Sequence, residues 1–221
     1  MEITYMGHSC FKLKNKSGFV VYIDPFDTKM VGESLPKDVA DMLLISHDHR
    51  DHNNREVITG AVMRESTFVV DREGEYEVAG VLVSALRTNH DKAEGKERGK
   101  NLVFAIKVDG LNVVHLGDLG HELSSAQIDK LGNVDVLLIP VGGHFTIDSE
   151  LALKIVKEIS PAYVVPMHYQ TDNTDESLKV LAPLSTFLEK SKFPVTSESV
   201  HKIKLDQSSL PDDTQVLLMN A

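Results

Sequence analysis

The chain has 221 residues, of which 42% are hydrophobic, and this apolar content is sufficient for the core of one globular domain spanning residues 1–221. Its 23 Lys and Arg residues against 33 Asp and Glu residues give a formal net charge of -10 at pH 7, which disfavours nucleic acid as a partner. The single cysteine excludes an internal disulfide, and the sequence contains neither a signal peptide nor an apolar run long enough to span a membrane. We therefore expect a cytoplasmic protein.

The first half of the chain predicts short β-strands joined by turns. Apolar and β-branched segments predict strands at 2–6, 10–15, 19–25, 41–46, 66–71 and 80–88. Segment 55–63 has weak helical character. Two alternating segments, 102–108 and 111–116, flank Asp109 and Gly110, and this pattern predicts a tight hairpin.

The second half of the chain alternates helix and strand. Helices are predicted at 124–132, 148–160 and 175–190, with the last one interrupted near Pro183, and strands at 134–141, 162–168, 195–205 and 214–220. A β-rich half and an α/β half bury their apolar faces best against each other. We therefore expect two sheets with helices outside them.

The segment LLISHDHRDHNN, residues 43–54, follows a predicted strand and is unusually rich in titratable groups. Imidazole or carboxylate groups occupy five of six successive positions, namely His47, Asp48, His49, Asp51 and His52. Burying them without a cation would impose a desolvation penalty on Asp51, whereas zinc, iron and manganese accept neutral imidazole and ionised carboxylate as ligands. The cluster predicts a metal site, and a solvated polar loop is the alternative.

These groups cannot all reach one tetrahedral ion without backbone strain. In an extended loop His47 and His49 face one way, while Asp51 and His52 can turn towards a second ion. Both ions then require further ligands, and three candidates follow predicted strands downstream: His90, Asp118 and His168. A lone histidine beside a strand is more often structural, so the argument depends on the coincidence of three such positions with the cluster.

In these motifs the chain resembles the metallo-β-lactamase superfamily. The superfamily signature HxHxDH stands here as His47, His49, Asp51 and His52, and His90, Asp118 and His168 follow in the expected order. Five further segments are similar to sequences of the small metal-dependent hydrolase branch related to ascorbate-phosphate lactonase. They are GHSCF, YIDPF, HLGD, IPVGGHFTID and PMHY. The resemblance implies an α/β fold, a four-layer αββα sandwich of two mixed sheets with helices on the outside and the metals at one edge.

The resemblance also implies a ligand set for two divalent ions, expected to be Zn²⁺, with Mn²⁺ or Fe²⁺ as alternatives. In this assignment the first ion is held by His47, His49 and His90, the second by Asp51, His52 and His168, and Asp118 bridges them. The segment after His90, DKAEGKERGKN, is charged and contains glycine, so we expect its loop to be mobile. His115 is the alternative to His90 as a ligand.

The predicted activity is hydrolysis of a lactone, ester, amide or phosphoester of a small metabolite. Two ions that share a water would give a hydroxide at neutral pH without a protein nucleophile. Asp118 or Asp51 would act catalytically by shuttling the proton, and His8 and His144 are candidate substrate contacts. The basic residues of segment 91–100 could receive an anionic substrate group, although a solvated loop is the simpler interpretation.

Three other functions are weighed against hydrolysis. Redox iron enzymes of this superfamily usually carry Glu where this chain has His49, and they work with a flavin domain for which 221 residues leave no room. Nucleic-acid phosphodiesterases of the superfamily generally need an inserted domain or an exosite arm. A non-catalytic metal-binding protein is disfavoured because all seven ligand positions are filled. The sequence leaves a homo-oligomer open.

Overall fold

The structure, a computed structural model, describes residues 1–61, 66–196 and 199–221. The strands are β1 (Glu2–Gly7), β2 (Cys10–Lys14), β3 (Val20–Ile23), β4 (Asp38–Ala40), β5 (Met42–Leu44), β6 (Ile58–Gly60), β7 (Phe68–Val70), β8 (Gly74–Val78), β9 (Val81–Asn89), β10 (Lys100–Val108), β11 (Leu111–His115), β12 (Val136–Pro140), β13 (Tyr163–Met167), β14 (Lys202–Lys204) and β15 (Gln215–Val216). The helices are α1 (Thr28–Val31), α2 (Ser125–Leu131), α3 (Ser149–Ile159) and α4 (Leu184–Lys190).

Two large mixed sheets contain most of the strands. The first sheet has the order β14-β1-β2-β3-β5-β7, and the second has the order β15-β13-β12-β11-β10-β9-β8. In the second sheet β8 to β11 pair antiparallel, whereas β11, β12, β13 and β15 pair parallel because helical connections separate them in sequence. A small parallel pair, β4 and β6, completes the described strands.

Three apolar layers hold the sheets and helices together. The largest lies between the two sheets and includes Phe11 from β2 and Phe104 from β10, both fully buried. A second layer packs the outer face of the second sheet against α2, α3 and α4, and a third covers the outer face of the first sheet beneath α1. Alternate residues of one strand face different layers, as in β10, where Phe104 faces the inner layer and Val103 the outer one. The αββα sandwich expected from the sequence is confirmed.

Local signals in the sequence account for the longest helix. Asp148 caps α3 by accepting hydrogen bonds from the backbone N–H groups of Glu150 and Leu151. Apolar side chains at the spacing of a helix face, Ala152, Ile155 and Val156, are fully buried against the second sheet. The helix ends at Ser160, which adopts a left-handed conformation immediately before Pro161.

The hairpin prediction is confirmed, whereas the helix predicted at 175–190 is α-helical only after Pro183. Asp109 and Gly110 form the two-residue turn between β10 and β11, and both have the positive φ that such a turn requires. Pro183 is the N-cap of α4, so the interruption is confirmed. The part of that predicted helix before Pro183 is instead a single 3₁₀ turn, Glu176–Leu178.

Segment 55–63 was wrongly assigned helical character. It forms a 3₁₀ turn, Arg55–Val57, followed by β6, which pairs with β4. Tertiary pairing therefore overrides a weak local preference. Residues 62 and 63 of this segment, and residues 197 and 198 of the predicted strand at 195–205, lie outside the described residues. Within the described ranges, no helix has the length and hydrophobicity needed to cross a bilayer.

Candidate metal centre

Five loops bring the predicted ligands and His8, a candidate substrate contact, to one place. His8 follows β1 and the segment 47–52 follows β5, so the first sheet supplies these groups. His90, Asp118 and His168 follow β9, β11 and β13 of the second sheet. The site therefore lies where the two sheets meet, on loops presented by rigid strands.

The side chains form two groups of ligand atoms, and a third group, His47, His52 and Asp118, joins them. In the first group the ligand atoms of His47, His49 and His90 lie within 4.8 Å of one another, and the same is true of His8, Asp51, His52 and His168 in the second group. Asp118 reaches both groups, because its Oδ2 lies 3.1 Å from Nε2 of His90 and 3.2 Å from Nε2 of His168.

Burial and mutual charge keep most of these groups in the form that binds metals. Burial is the main cause that lowers the pKa of His8 to about 4, and it also holds the pKa of His47 well below its usual range. Although burial raises the pKa of Asp118, His168 and His52 together hold it well below its ordinary value. Conversely, although burial lowers the pKa of His52, the carboxylates of Asp118 and Asp51 raise it well above its ordinary value. Neutral imidazole and ionised carboxylate are the ligand forms of these residues.

Several buried atoms of the two groups lack a hydrogen-bond partner within the described ranges. They include Nε2 of His8, His47, His52 and His168 and Oδ1 of Asp118. Leaving a buried polar atom unsatisfied typically costs about 1–3 kcal/mol. Their concentration at one point, with the chemistry of the donor set, fits divalent metal ions as the missing partners.

A buried carboxylate that the sequence analysis missed orients two of the histidines. Oδ1 of Asp24 accepts a hydrogen bond from the Ser46 backbone N–H at 2.7 Å, and Oδ2 accepts one from the Ser46 hydroxyl at 2.6 Å. Oδ2 of Asp24 also lies 3.0 Å from Nδ1 of His52, and Oγ of Ser46 lies 2.8 Å from Nδ1 of His47. Both histidines thereby direct Nε2 towards Asp118, as metal-ligating imidazoles do.

Asn101 fixes the loop that carries Asp118. Its Oδ1 accepts the backbone N–H of Asp118 at 2.9 Å, and its Nδ2 donates to Thr88 Oγ1 and to the Leu116 carbonyl. Gly120 permits this loop to approach the His90 loop, because a Cβ at position 120 would lie 2.3 Å from the His90 carbonyl carbon. These contacts set the distance between two predicted ligands.

The loop after His90 is held together by Asp91. Its two carboxylate oxygens accept four backbone N–H groups, at 2.8–3.1 Å, from residues 93, 95, 97 and 98. Although burial raises the pKa of Asp91, the hydrogen bonds from the backbone of Arg98, Gly95, Ala93 and Glu97 lower it below its usual value. Asp91 therefore ties the backbone of this loop together, and the mobility of the loop stays a prediction.

Comparison with known protein families identifies the family to which the chain belongs. A model described as "Beta-lactamase superfamily domain" matches residues 2–168, which is most of the chain. The chain belongs to the β-lactamase superfamily.

Relatives within this superfamily narrow the class further. The chain is 31% identical over 191 residues to a UPF0173 metal-dependent hydrolase of Thermoplasma acidophilum, with 77% of this chain and 84% of the relative covered. It also matches a crystal structure from Thermotoga maritima assigned to the Zn-dependent hydrolases of the metallo-β-lactamase superfamily, with a TM-score of 0.78, 32% identity and coverage of 99% and 97%. The chain is thus a member of the UPF0173 metal-dependent hydrolase family.

The fold alone does not define the chemistry within the superfamily. CmlA of Streptomyces venezuelae, described as a diiron β-hydroxylase, matches with a TM-score of 0.57 at 16% identity, covering 84% of this chain and 48% of that one. This likeness concerns the fold only.

The structure distinguishes the two alternatives for the first ligand group of this superfamily member. His90 contributes to the group with His47 and His49. His115 uses both ring nitrogens elsewhere, because Nε2 lies 2.9 Å from the Ser9 carbonyl and Nδ1 accepts the Gly117 N–H at 3.0 Å. This geometry favours His90 as the candidate ligand.

The two candidate substrate contacts have different surroundings. His8 is buried, and its Nε2 lies 3.4 Å from Oδ2 of Asp51, so it joins the second ligand group. His144 is exposed, and its neighbour Phe145 lines the cavity beside the centre. A substrate contact by His144 stays a prediction for which the structure provides no contact.

Proposed function

We propose that the chain hydrolyses a small metabolite with two divalent metal ions per molecule. The two ligand groups support two ions, one beside His47, His49 and His90 and one beside Asp51, His52 and His168, with Asp118 between them. His8 adds a fourth donor to the second group. When bound, such ions supply Lewis acidity that activates water and polarises a substrate carbonyl or phosphoryl oxygen.

The carboxylates of Asp118 and Asp51 are the proposed proton acceptors. Both line the cavity beside the ligand groups. Although burial raises the pKa of Asp51, the charge of His52 and the nearby imidazole of His8 lower it far below its ordinary value. Both carboxylates are therefore ionised at neutral pH and can take a proton from the attacking water.

The cavity supports a small molecule as the substrate. It has a volume of about 320 Å³, and His49, Asp51, His90 and Asp118 are among the residues that line it. This volume lies at the lower end of the range of small-molecule sites. The substrate class we propose is therefore a lactone, ester, amide or phosphoester of metabolite size.

Zinc is the ion that we propose first. Imidazole and carboxylate donors suit Zn²⁺, and Mn²⁺ and Fe²⁺ accept the same set. The Thermotoga maritima relative is assigned to Zn-dependent hydrolases, which supports zinc here. The observation that carries the proposal is the convergence of unpartnered buried imidazole nitrogens around Asp118.

The deciding experiment combines elemental analysis with an activity screen. The purified protein should contain about two zinc or manganese ions per chain. Matched lactone, ester, amide and phosphodiester substrates are then tested before chelation, after chelation and after metal is added back. We expect activity on at least one class that chelation abolishes and metal restores. Hydrolysis that survives complete metal removal would contradict the proposal, and a bound flavin with oxygen-dependent turnover would favour the redox alternative.

A further inference from the structure

The cavity beside the candidate metal centre has a lining of mixed character. Besides the candidate ligands, the cavity is lined by the apolar side chains of Met30, Phe145 and Leu178. Arg98 and Arg50 add two guanidinium groups to the lining. A small molecule in this cavity would therefore meet titratable side chains, apolar side chains and two guanidinium groups.

Arg98 is the basic residue of segment 91–100 that lines this cavity. Lys100 donates to Asn89 Oδ1 and to the Glu94 carbonyl, and Lys96 lies 3.4 Å from Glu94 on the exposed side of the loop. The guanidinium of Arg98 instead lies over the Phe145 ring, with Cζ 4.3 Å from the ring centroid. Stacking on an aromatic face leaves the N–H groups at the edge of a guanidinium available.

Arg98 and Arg50 differ in whether a neighbouring carboxylate neutralises their charge. Nη2 of Arg50 lies 2.5 Å from Oδ2 of Asp27, so this cation is neutralised by its neighbour, and its side chain is 72% exposed. Within residues 1–61, 66–196 and 199–221, no carboxylate lies within 4.0 Å of the Arg98 guanidinium. Arg98 is half-buried and presents an uncompensated positive charge to the cavity in a chain of net charge -10.

The backbone of Arg98 is held in place before any ligand arrives. Its N–H donates to Oδ2 of Asp91 at 2.8 Å, and the N–H of Glu97 donates to the same oxygen. A preorganised donor loses less conformational entropy on binding than a free side chain does. Because Asp91 directly follows His90, the loop also fixes Arg98 relative to the metal centre.

We propose that Arg98 binds an anionic group of the substrate, a carboxylate or a phosphate, at the end remote from the bond that is cleaved. The apolar body of the substrate packs against Phe145, Met30 and Leu178, while the scissile group faces the ligand groups. A guanidinium matches both anions because its paired N–H groups bind two oxygens together. The cleavage part rests on the proposed function, whereas the binding part does not.

The kinetic test compares esters that differ only at the remote end. The substrates are the mono-4-nitrophenyl ester of adipic acid, its terminal carboxamide analogue and its terminal phosphonate analogue, each with metal-loaded protein. Arg98→Gln should reduce kcat/KM for the two anionic esters by roughly 10- to 100-fold, the value of a charged hydrogen-bond pair, and change that of the carboxamide by less than about threefold. Arg98→Lys should fall between wild type and Arg98→Gln. Lys96→Gln removes the same charge from the same loop outside the cavity and should match wild type.

A binding measurement separates this inference from the proposed function. Calorimetric titration with phenylacetate and its neutral analogue phenylacetamide requires no turnover, and contacts with the metal are common to all variants. We expect the Kd of phenylacetate to rise about tenfold in Arg98→Gln, with no change in Lys96→Gln. If phenylacetate binding depends on Arg98 although the metal-loaded protein cleaves none of the lactone, ester, amide and phosphodiester substrates, the proposed hydrolysis fails and the anion site stands. The melting temperature of Arg98→Gln shows whether the variant is folded. If the folded variant binds phenylacetate with the Kd of wild type and its kcat/KM values for the three esters equal those of wild type, the anion site is overturned.

Discussion

Oδ2 of Asp24 lies 3.0 Å from Nδ1 of His52, and both side chains are completely buried. A carboxylate at this distance accepts the proton on Nδ1 and leaves Nε2 of His52 available as the predicted ligand atom. The same carboxylate accepts two hydrogen bonds from Ser46, so its position is set by the chain rather than by the ion. The orientation of His52 is thus built into the fold.

Asp24→Asn is expected to lower metal affinity by roughly 10- to 100-fold while the protein stays folded. Asparagine has the same shape and tolerates the positive φ of 46° at this position, but its amide cannot accept all the hydrogen bonds that the carboxylate accepts. Competition with a chromophoric chelator measures the change. Asp129→Asn, on the exposed side of α2, is the control. Equal affinities in the two variants would show that Asp24 does not orient His52.

Asp118→Asn should lower metal content and activity more than Asp24→Asn does, by at least roughly 100-fold in activity. The reason is that Asp118 contacts both ligand groups directly, because its Oδ2 lies 3.1 Å from Nε2 of His90 in the first group and 3.2 Å from Nε2 of His168 in the second. Elemental analysis and the activity screen measure the two effects separately. Full activity with normal metal content would exclude Asp118 as a bridging ligand.

Gly120→Ala should destabilise the protein by about 1–3 kcal/mol and weaken metal binding together. The added Cβ would lie 2.4 Å from the Asp91 nitrogen and 2.3 Å from the His90 carbonyl carbon, so the His90 loop must move. Gly132→Ala is a useful comparison, because a Cβ at position 132 would meet no atom within 4 Å. Its cost comes only from the positive φ of 68°, which is unfavourable for alanine. That variant should lose stability without losing metal affinity. If both variants bind metal like wild type, the spacing of the two loops does not matter for the site.

Asp91→Ala should loosen the loop between His90 and Arg98. The carboxylate accepts four backbone N–H groups there, so we expect amide exchange at residues 93, 95, 97 and 98 to accelerate by roughly tenfold or more. Hydrogen exchange followed by mass spectrometry measures this directly. Lys92→Ala lies in the same loop with an exposed side chain and should leave the exchange rates unchanged. Unaltered protection in Asp91→Ala would mean that other contacts order the loop.

Glu33→Gln should raise stability at neutral pH. Burial raises the pKa of Glu33, against a hydrogen bond from Thr171 that lowers it, and its Oε2 has no hydrogen-bond partner within the described ranges. Because the folded-state pKa of this acid lies above its unfolded value, its ionised form is disfavoured by folding. The destabilisation is therefore present at pH 7 and disappears as the pH falls below about 4, where the carboxyl is neutral in both states.

The melting temperature at two pH values tests this sign. Glu33→Gln should raise Tm by up to about 2–4 °C at pH 7.5, the shift that about 1 kcal/mol produces in a domain of this size, and by nothing near pH 4. Glu189→Gln, on the exposed side of α4, should leave Tm unchanged at both values. A lower Tm for Glu33→Gln at pH 7.5 would show that the carboxylate is stabilised by its surroundings.

The sequence predicted the parts of the site that have a local signature. Four of the predicted ligands lie within the six residues 47–52, and His90, Asp118 and His168 each follow an apolar strand, a pattern that period and spacing reveal. The Asp109–Gly110 hairpin was predictable for the same reason, since its turn chemistry is local. The order of strands and helices then indicated the layers.

The supporting residues could not be predicted in this way. Asp24 meets His52 across 28 positions of sequence, and Asn101 meets Asp118 across 17, so only the folded backbone brings them together. One signal was available, because Asp24 follows β3 just as the predicted ligands follow their strands. The strands β4 and β8 were missed because charged residues interrupt their apolar pattern, and their pairing partners define them.

The two sheets contribute to the centre jointly, with His8 and segment 47–52 on one and His90, Asp118 and His168 on the other. An ion coordinated from both sides acts as a thermodynamic cross-link, since it binds the assembled sandwich far better than either sheet alone. Its dissociation constant therefore reports how firmly the sheets are docked. A substitution that weakens the apolar layer between the two sheets would therefore weaken ion binding, even where it lies far from every ligand.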